Sequence, residues 1–284
     1  MASISSRGGN HGLQVGDKSG SINAEIHLPP ERPETSSSPS STVPFSRNPD
    51  FVSRDTLLHS IREKNSVPGS RIALIGLGGV GKSELVIEYS YLVRSESPAT
   101  WVFWIHGSTQ ARFEQSFRDI ADHIQIQGRH DPKVDIFRLV ENWLRDEKHG
   151  KWICILDNAD DEKFLCSSLA AGKEDPTKGP TNAFTKPLLE HVPLSQNGSI
   201  IITSRTKKAA LEMVDHKDLI EVKPMERSEA LVLLHKKLEQ LGESQESQQL
   251  VDALEFMPLA IVQAASYIRQ RAPRYSVSQY LSDF

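Results

Sequence analysis

Residues 76–84 read GLGGVGKSE and follow the apolar residues 72–75 directly. Gly76, Gly81, Lys82 and Ser83 fit the pattern G-x-x-x-x-G-K-[ST], a loop whose chemistry is phosphate binding. A strand must stop there and a helix must begin at once. Glycines at Gly76, Gly78, Gly79 and Gly81 permit the backbone turns and the close approach that wrapping an anion needs. The N–H groups from Val80 to Glu84 then open a helix whose positive end faces the phosphates. Lys82 would reach the β- and γ-phosphates as a point charge, and Ser83 would offer its hydroxyl to Mg²⁺. A plain glycine-rich turn is the alternative. The flanks argue against it, because Leu85, Val86, Tyr89, Leu92 and Val93 continue at helical spacing.

Two further groups fall at strand ends. Residues 153–157 (ICILD) deliver Asp157 after an apolar run. An acid at the carboxyl edge of a parallel sheet is placed to hold Mg²⁺, directly or through water. Asn158 follows, and an amide cannot take a proton from an attacking water. Asp160 and Asp161 come next, where a helix could also start. Slow hydrolysis is therefore expected. Residues 198–206 (GSIIITSRT) bring Arg205 to the same edge, where a guanidinium can sense a γ-phosphate. The candidate catalytic set is Lys82, Asp157 and Arg205, with Ser83 and Asp157 for Mg²⁺.

These residues need a scaffold. The chain has 284 residues, 38% hydrophobic and 25% charged, with a net charge of −4. That charge argues against non-specific nucleic-acid binding. The two cysteines, Cys154 and Cys166, lack metal spacing and suit reduced thiols in a cytoplasmic protein. No secretory signal or membrane-length apolar run is expected from the sequence. Strands are expected at 71–75, 101–105, 152–156, 200–203 and 219–222, with helical segments between them. That alternation implies an α/β fold: a parallel five-stranded sheet covered by helices. Residues 172–198 read as a long surface loop. Beyond Pro224 the pattern is helical, through Leu231, Leu234, Leu238 and Leu241, then 246–256 and 259–271. Residues 1–48 stand apart: a Ser/Pro-rich stretch at 29–44 reads as linker, after a β-prone segment within residues 1–28.

The order of motifs (P-loop, FWIHGS, ILDNAD, IIITSR, EVKPMERSEALVLL, MPLA) resembles the NB-ARC family of STAND-class P-loop NTPases over about residues 49–272. These are the nucleotide switches of plant immune receptors, apoptosome-forming proteins and fungal NOD-like receptors. The resemblance implies a nucleotide-binding domain at 49–226 and an incomplete helical ARC-type subdomain at 227–284. It implies ATP/ADP and Mg²⁺ as ligands, and an Arg-bearing strand between the P-loop and Asp157 strands. Val52 and Arg54 would flank the adenine, although Ser53 stands where glycine is usual. Pro258 would pack on the adenine or ribose, with Met257 in place of leucine. No winged-helix histidine follows, so the resemblance implies a receptor truncated after the first helical subdomain and a weaker ADP-locked state. Residues 9–23 are similar to the sigma-type prion-forming motif of some fungal receptors, whose physics is short, low-charge β-prone stretches. Signalling by self-oligomerisation or through an effector at the N-terminus is the expectation. A turning-over ATPase and a nucleotide-independent amyloid-type interaction protein remain alternatives. No membrane or nucleic-acid partner is expected.

Overall fold

The computed structural model describes residues 38–167, 186–239 and 244–283. The elements run α1 Asp55–Asn65, β1 Arg71–Ile75, α2 Lys82–Glu96, β2 Trp101–His106, α3 Gln110–His123, α4 Ile136–Arg145 and β3 Trp152–Asp157. Then come α5 Glu162–Cys166, β4 Gly198–Ser204, α6 Lys207–Leu211, β5 Leu219–Glu221, α7 Arg227–Leu238, α8 Gln245–Ala253, α9 Pro258–Arg271 and α10 Val277–Asp283. All five strands are parallel, in the order β2-β3-β4-β1-β5. The Arg205-bearing strand β4 lies between β1 and β3, as the resemblance implied.

Strand side chains alternate between the two faces of the sheet. On one face Ala73, Phe103, Ile105, Cys154, Leu156, Ile200 and Ile202 meet Phe113, Phe117 and Ile120 of α3 and Val140 and Leu144 of α4. On the other, Ile72, Leu74, Val102, Trp104, Ile155 and Ile201 meet Ile61 of α1 and Leu85, Val86 and Tyr89 of α2. Both faces are covered, so the strands read as unbroken apolar runs rather than as alternating ones. Cys154 is fully buried, and burial pushes its thiol far above the ordinary value. A third core lies among α7–α10, built on Leu231, Leu234, Leu250, Ile261, Ala265 and Ile268. Among the described residues, no helix is long and apolar enough to cross a membrane.

Three sequence expectations change. Residues 38–48, expected with the linker, are fastened to the fold, and residues 40–42 lie along β2: Thr42 donates to the Val102 carbonyl at 2.9 Å and Val102 donates to that of Ser40 at 3.1 Å. The reason is local. An edge strand presents unpaired N–H and C=O groups, and a short polar segment can satisfy them whatever its linker-like composition. The expected loop at 172–198 is not all surface. Leu188, Leu189, His191 and Val192 are buried around a 3₁₀ turn, Leu188–His191, and β4 begins at Gly198. A further helix, α10, follows α9. Leu241 and the β-prone segment within residues 1–28 lie outside the described residues.

Candidate phosphate-binding site

Chain geometry at the β1–α2 junction follows from its glycines. Gly76 has φ 153°, Gly79 φ 81° and Gly81 φ 95°. A Cβ on Gly76 would lie 2.3 Å from the Val222 carbonyl oxygen, so β5 approaches as closely as it does only because that atom is absent. Gly81 caps α2 without a side-chain acceptor, leaving the helix's first N–H groups to the loop.

Lys82 is only 8% exposed. Its ammonium donates to the carbonyl oxygens of Gly76 at 2.7 Å and Leu77 at 2.9 Å. Burial holds its pKa below the ordinary lysine value, and the nearby Arg205 acts in the same direction, against the attraction of Asp160 and Asp157. A cation desolvated in this way gains most from an incoming anion. Next to it, the Ser83 hydroxyl donates to Asp157 Oδ1 at 2.8 Å. Asp157 is 4% exposed at the end of β3. The same Oδ1 accepts from Thr203 Oγ1 at 2.6 Å, and Oδ2 accepts from Asn158 Nδ2 at 3.1 Å. The Asn158 N–H donates to Thr203 Oγ1 at 3.0 Å, completing a ring of contacts across β3 and β4.

Arg205 lies at this edge, close to Gly78: a Cβ on that glycine would be 3.9 Å from Arg205 Nε. Its side chain is 64% exposed, and Nε pairs with Asp160 Oδ2 at 3.2 Å. Asp160 is engaged further, accepting from the Arg205 N–H at 2.6 Å and the Ser204 hydroxyl at 3.2 Å. Asp161 caps α5. Both acids near Asn158 are thus engaged, Asp160 with Ser204 and Arg205 and Asp161 with the start of α5.

The remaining expected residues line one cleft of about 360 Å³, between the loop, residues 48–54 and helices α7 and α9. Pro258 opens α9, and the Leu259 N–H donates to the Gly79 carbonyl at 3.2 Å. Leu259 also covers Gly79, where a Cβ would be 2.8 Å from its own Cβ. Val52 is buried in the helical core and lines the cleft with Phe51, Met225, Leu233 and Val262. Arg54 also lines the cleft and ties its walls together. Its guanidinium donates to the carbonyls of Val80, Lys223 and Pro224 and pairs with Glu229 of α7 at 3.4 Å. Burial lowers its pKa against the pull of Glu229 and Glu226. It is a strut between the loop and the helices. Glu84, exposed, accepts from Asn48 at 3.0 Å.

Sequence reasoning missed Thr203, Asn48, Asp50, Lys237 and Leu259. Thr203 had a readable signal, since it is the polar residue ending the apolar face of β4. The others are brought to the cleft by distant parts of the chain and left none.

The residue types fit a nucleotide with a divalent ion. A desolvated lysine, a glycine loop and a helix N-terminus suit phosphates. The Ser83 hydroxyl and Asp157 carboxylate are hard oxygen donors of the kind Mg²⁺ takes. Among the described residues no group of three or more His, Cys, Asp or Glu could hold a metal by itself, so an ion here would complete its shell with phosphate oxygens and water. The apolar walls of the cleft suit a base, and its volume is within the range of small-molecule sites.

No family model matches the chain. A nucleotide-binding leucine-rich repeat (NLR)-like protein of Hyaloscypha variabilis is 32% identical over 248 residues, covering 84% of this chain. The chain spans 24% of that relative's length. Among solved structures, a Walker-type ATPase of Pyrococcus abyssi superposes with a TM-score of 0.53 at 15% identity, covering 84% of this chain and 72% of that one. Cdc6p from Pyrobaculum aerophilum gives 0.52 at 16% identity, covering 83% and 65%. The chain thus has the fold of the P-loop ATPases and is similar in sequence to part of an NLR-like protein.

Proposed function

We propose that this chain binds ATP and ADP with Mg²⁺ and acts as a signalling switch of the NB-ARC/STAND type, with slow hydrolysis. The observation that carries this reading is the cleft itself. The phosphate-binding loop forms one wall, and Pro258 and Leu259 at the start of a separate helical bundle form the other. A ligand gripped by both can report its phosphate state as a change in their arrangement. The similar NLR-like protein is named for nucleotide binding, which supports the same reading. Residues 49–226 then serve as the nucleotide domain and 227–284 as the helical one, with oligomerisation or an effector contact carried by the N-terminal segment.

Slow turnover follows from Asn158 and from the ties on Asp160. Bound Mg²⁺ would neutralise phosphate charge; Ser83 and Asp157 would orient it, with Thr203 and Asn158 fixing the carboxylate. Denaturing the purified protein and separating the released nucleotide tests the reading, with thermal shifts for ADP, ATP and GTP. Co-purified ADP and stabilisation by adenine nucleotides are expected. An empty protein with no shift would overturn the switch and leave the N-terminal segment as the working part.

Asp157→Asn keeps the shape of the side chain and, through its Oδ1, the contacts from Ser83 and Thr203, but removes its charge and the acceptor that Asn158 Nδ2 uses. Binding of ADP without Mg²⁺ should stay within about twofold, and the gain from adding Mg²⁺ should fall at least about tenfold, the loss of one charge-assisted contact. Calorimetry with and without EDTA reads both numbers. An unchanged Mg²⁺ effect would remove Asp157 from the metal site.

A further inference from the structure

Residues 38–54 run from the outer edge of the sheet to the cleft. At the edge, Ser40 and Thr42 bond to Val102, and the Trp104 N–H donates to Thr42 Oγ1 at 2.9 Å. Phe45 stands edge-on to the Trp104 ring, with centroids 5.2 Å apart, and its carbonyl accepts from Tyr91 of α2 at 2.8 Å. Arg47 then grips Glu88 of α2 with two hydrogen bonds, at 2.6 and 3.0 Å. Glu88 is nearly buried, so this pair is shielded from screening on one side. Asn48 bonds to Glu84, the residue after Ser83.

From there the path crosses to the helical bundle. Lys237 of α7 pairs with Asp50 at 2.7 Å, and Lys236 donates to the Phe51 carbonyl at 2.9 Å. Phe51, Val52 and Arg54 then wall the cleft. One stretch of backbone is therefore fastened to the phosphate-binding helix, to the bundle opposite it and to the sheet edge. Few of these ties bury much apolar surface, so the segment can come away locally without global unfolding.

We propose that residues 38–52 are a strap that couples occupancy of the cleft to attachment of the N-terminal chain along β2. The proposal rests on the nucleotide reading given above. A filled cleft holds residues 50–54 between α2 and α7, and so favours the attached strap. Without that ligand both clasps, Arg47–Glu88 and Asp50–Lys237, open more often. Release would lengthen the tether carrying the segment that precedes Ser38.

The outward-facing amides of β2 read the strap directly. Val102 and Trp104 donate to it, whereas the alternation of the strand turns the Phe103 amide toward β3. Amide exchange on the full chain, with and without saturating MgADP, is the experiment. Exchange at Val102 and Trp104 should slow by about fivefold or more beyond any change at Phe103, the lower end of measured site–site couplings. The variant Arg47→Ala with Thr42→Pro loosens the strap at its exposed part without touching the cleft. It should make exchange at both amides insensitive to MgADP. By reciprocity it should weaken ADP binding by the same factor that ADP slowed exchange in the wild type. If MgADP binds but Val102 and Trp104 exchange unchanged relative to Phe103, the coupling is wrong and the nucleotide reading survives. If calorimetry shows no MgADP binding, the nucleotide reading fails and takes the strap with it.

Discussion

Replacing Lys82 with alanine is expected to raise the dissociation constants for MgADP and MgATP at least about a hundredfold, roughly 2.8 kcal/mol. The ammonium is the one desolvated cation within the loop, and its contacts to phosphate would be charge-assisted. The nucleotide-free fold should barely notice the change. Lys82 has no ion-pair partner within the loop; it donates to the carbonyls of Gly76 and of the exposed Leu77, where water can take its place. Melting of the empty variant should stay within about 4 °C of wild type, the span of one kcal/mol in a chain of this size. Calorimetry and thermal melting together check this. Retained nucleotide affinity would sink the site assignment, whereas a collapsed fold would show that Lys82 is structural.

The same residue gives a signed pH dependence. Burial depresses the Lys82 pKa in the folded state, so the unfolded chain binds the proton more tightly. Holding the ammonium buried costs stability below the lowered folded value, where both states are charged. That cost is relieved as pH rises from the lowered folded value toward the ordinary 10.5. The stability of the empty wild type relative to Lys82→Ala should therefore climb through that alkaline window. Denaturant titrations of both proteins at a series of pH values would show it; a difference that falls with pH would contradict the burial of the charge.

Gly76→Ala should be the most damaging single methyl in the site. The added Cβ would lie 2.3 Å from the Val222 carbonyl oxygen and 3.3 Å from Val80 Cγ1, at a φ of 153° that side chains rarely adopt. The obstacle is backbone just past β5, where the Val222 N–H is itself bonded to the Ile75 carbonyl at 2.7 Å. It cannot swing aside as a side chain would. Overpacking and backbone strain together should cost about 3 kcal/mol or more, read as a lower urea midpoint. Nucleotide affinity should fall too, because the loop must move with β1. A variant of wild-type stability would mean that the Val222 carbonyl lies farther than 2.3 Å from that Cβ position.

Much of this molecule was legible before any coordinates. The loop at 76–84 is a local device, in which glycine φ angles, a helix start and a lysine are all specified within nine consecutive residues. Strand β1 agreed residue for residue, and β2 to β4 were each found short by one to three residues. Their apolar runs are long because helices cover both faces of the sheet. Asp157 was readable because an acid ending such a run must emerge at the carboxyl edge of the sheet. Helices α1 to α4 and α7 to α9 were legible for a similar reason, as periodicity is written along a single stretch of chain, whereas α6 and α10 were not read.

What tertiary structure decided is the set of partners. Thr203 reaches Asp157 across 46 residues, and Lys237 reaches Asp50 across 187. No spacing rule spans such distances, because which ends of the chain meet depends on how two separate cores stack. Composition misled at residues 38–48, since a polar, proline-containing stretch can still be held by the edge of β2 and by side chains of α2. Arg54 shows the limit most clearly. Its position beside the cleft could be inferred, but its protons are spent on carbonyls of Val80, Lys223 and Pro224, which only the folded chain brings together. The sequence by itself thus determined the glycine and lysine loop and its place on the sheet; the tertiary structure decided what closes over that loop, because closure is made by contacts between segments that the chain order keeps apart.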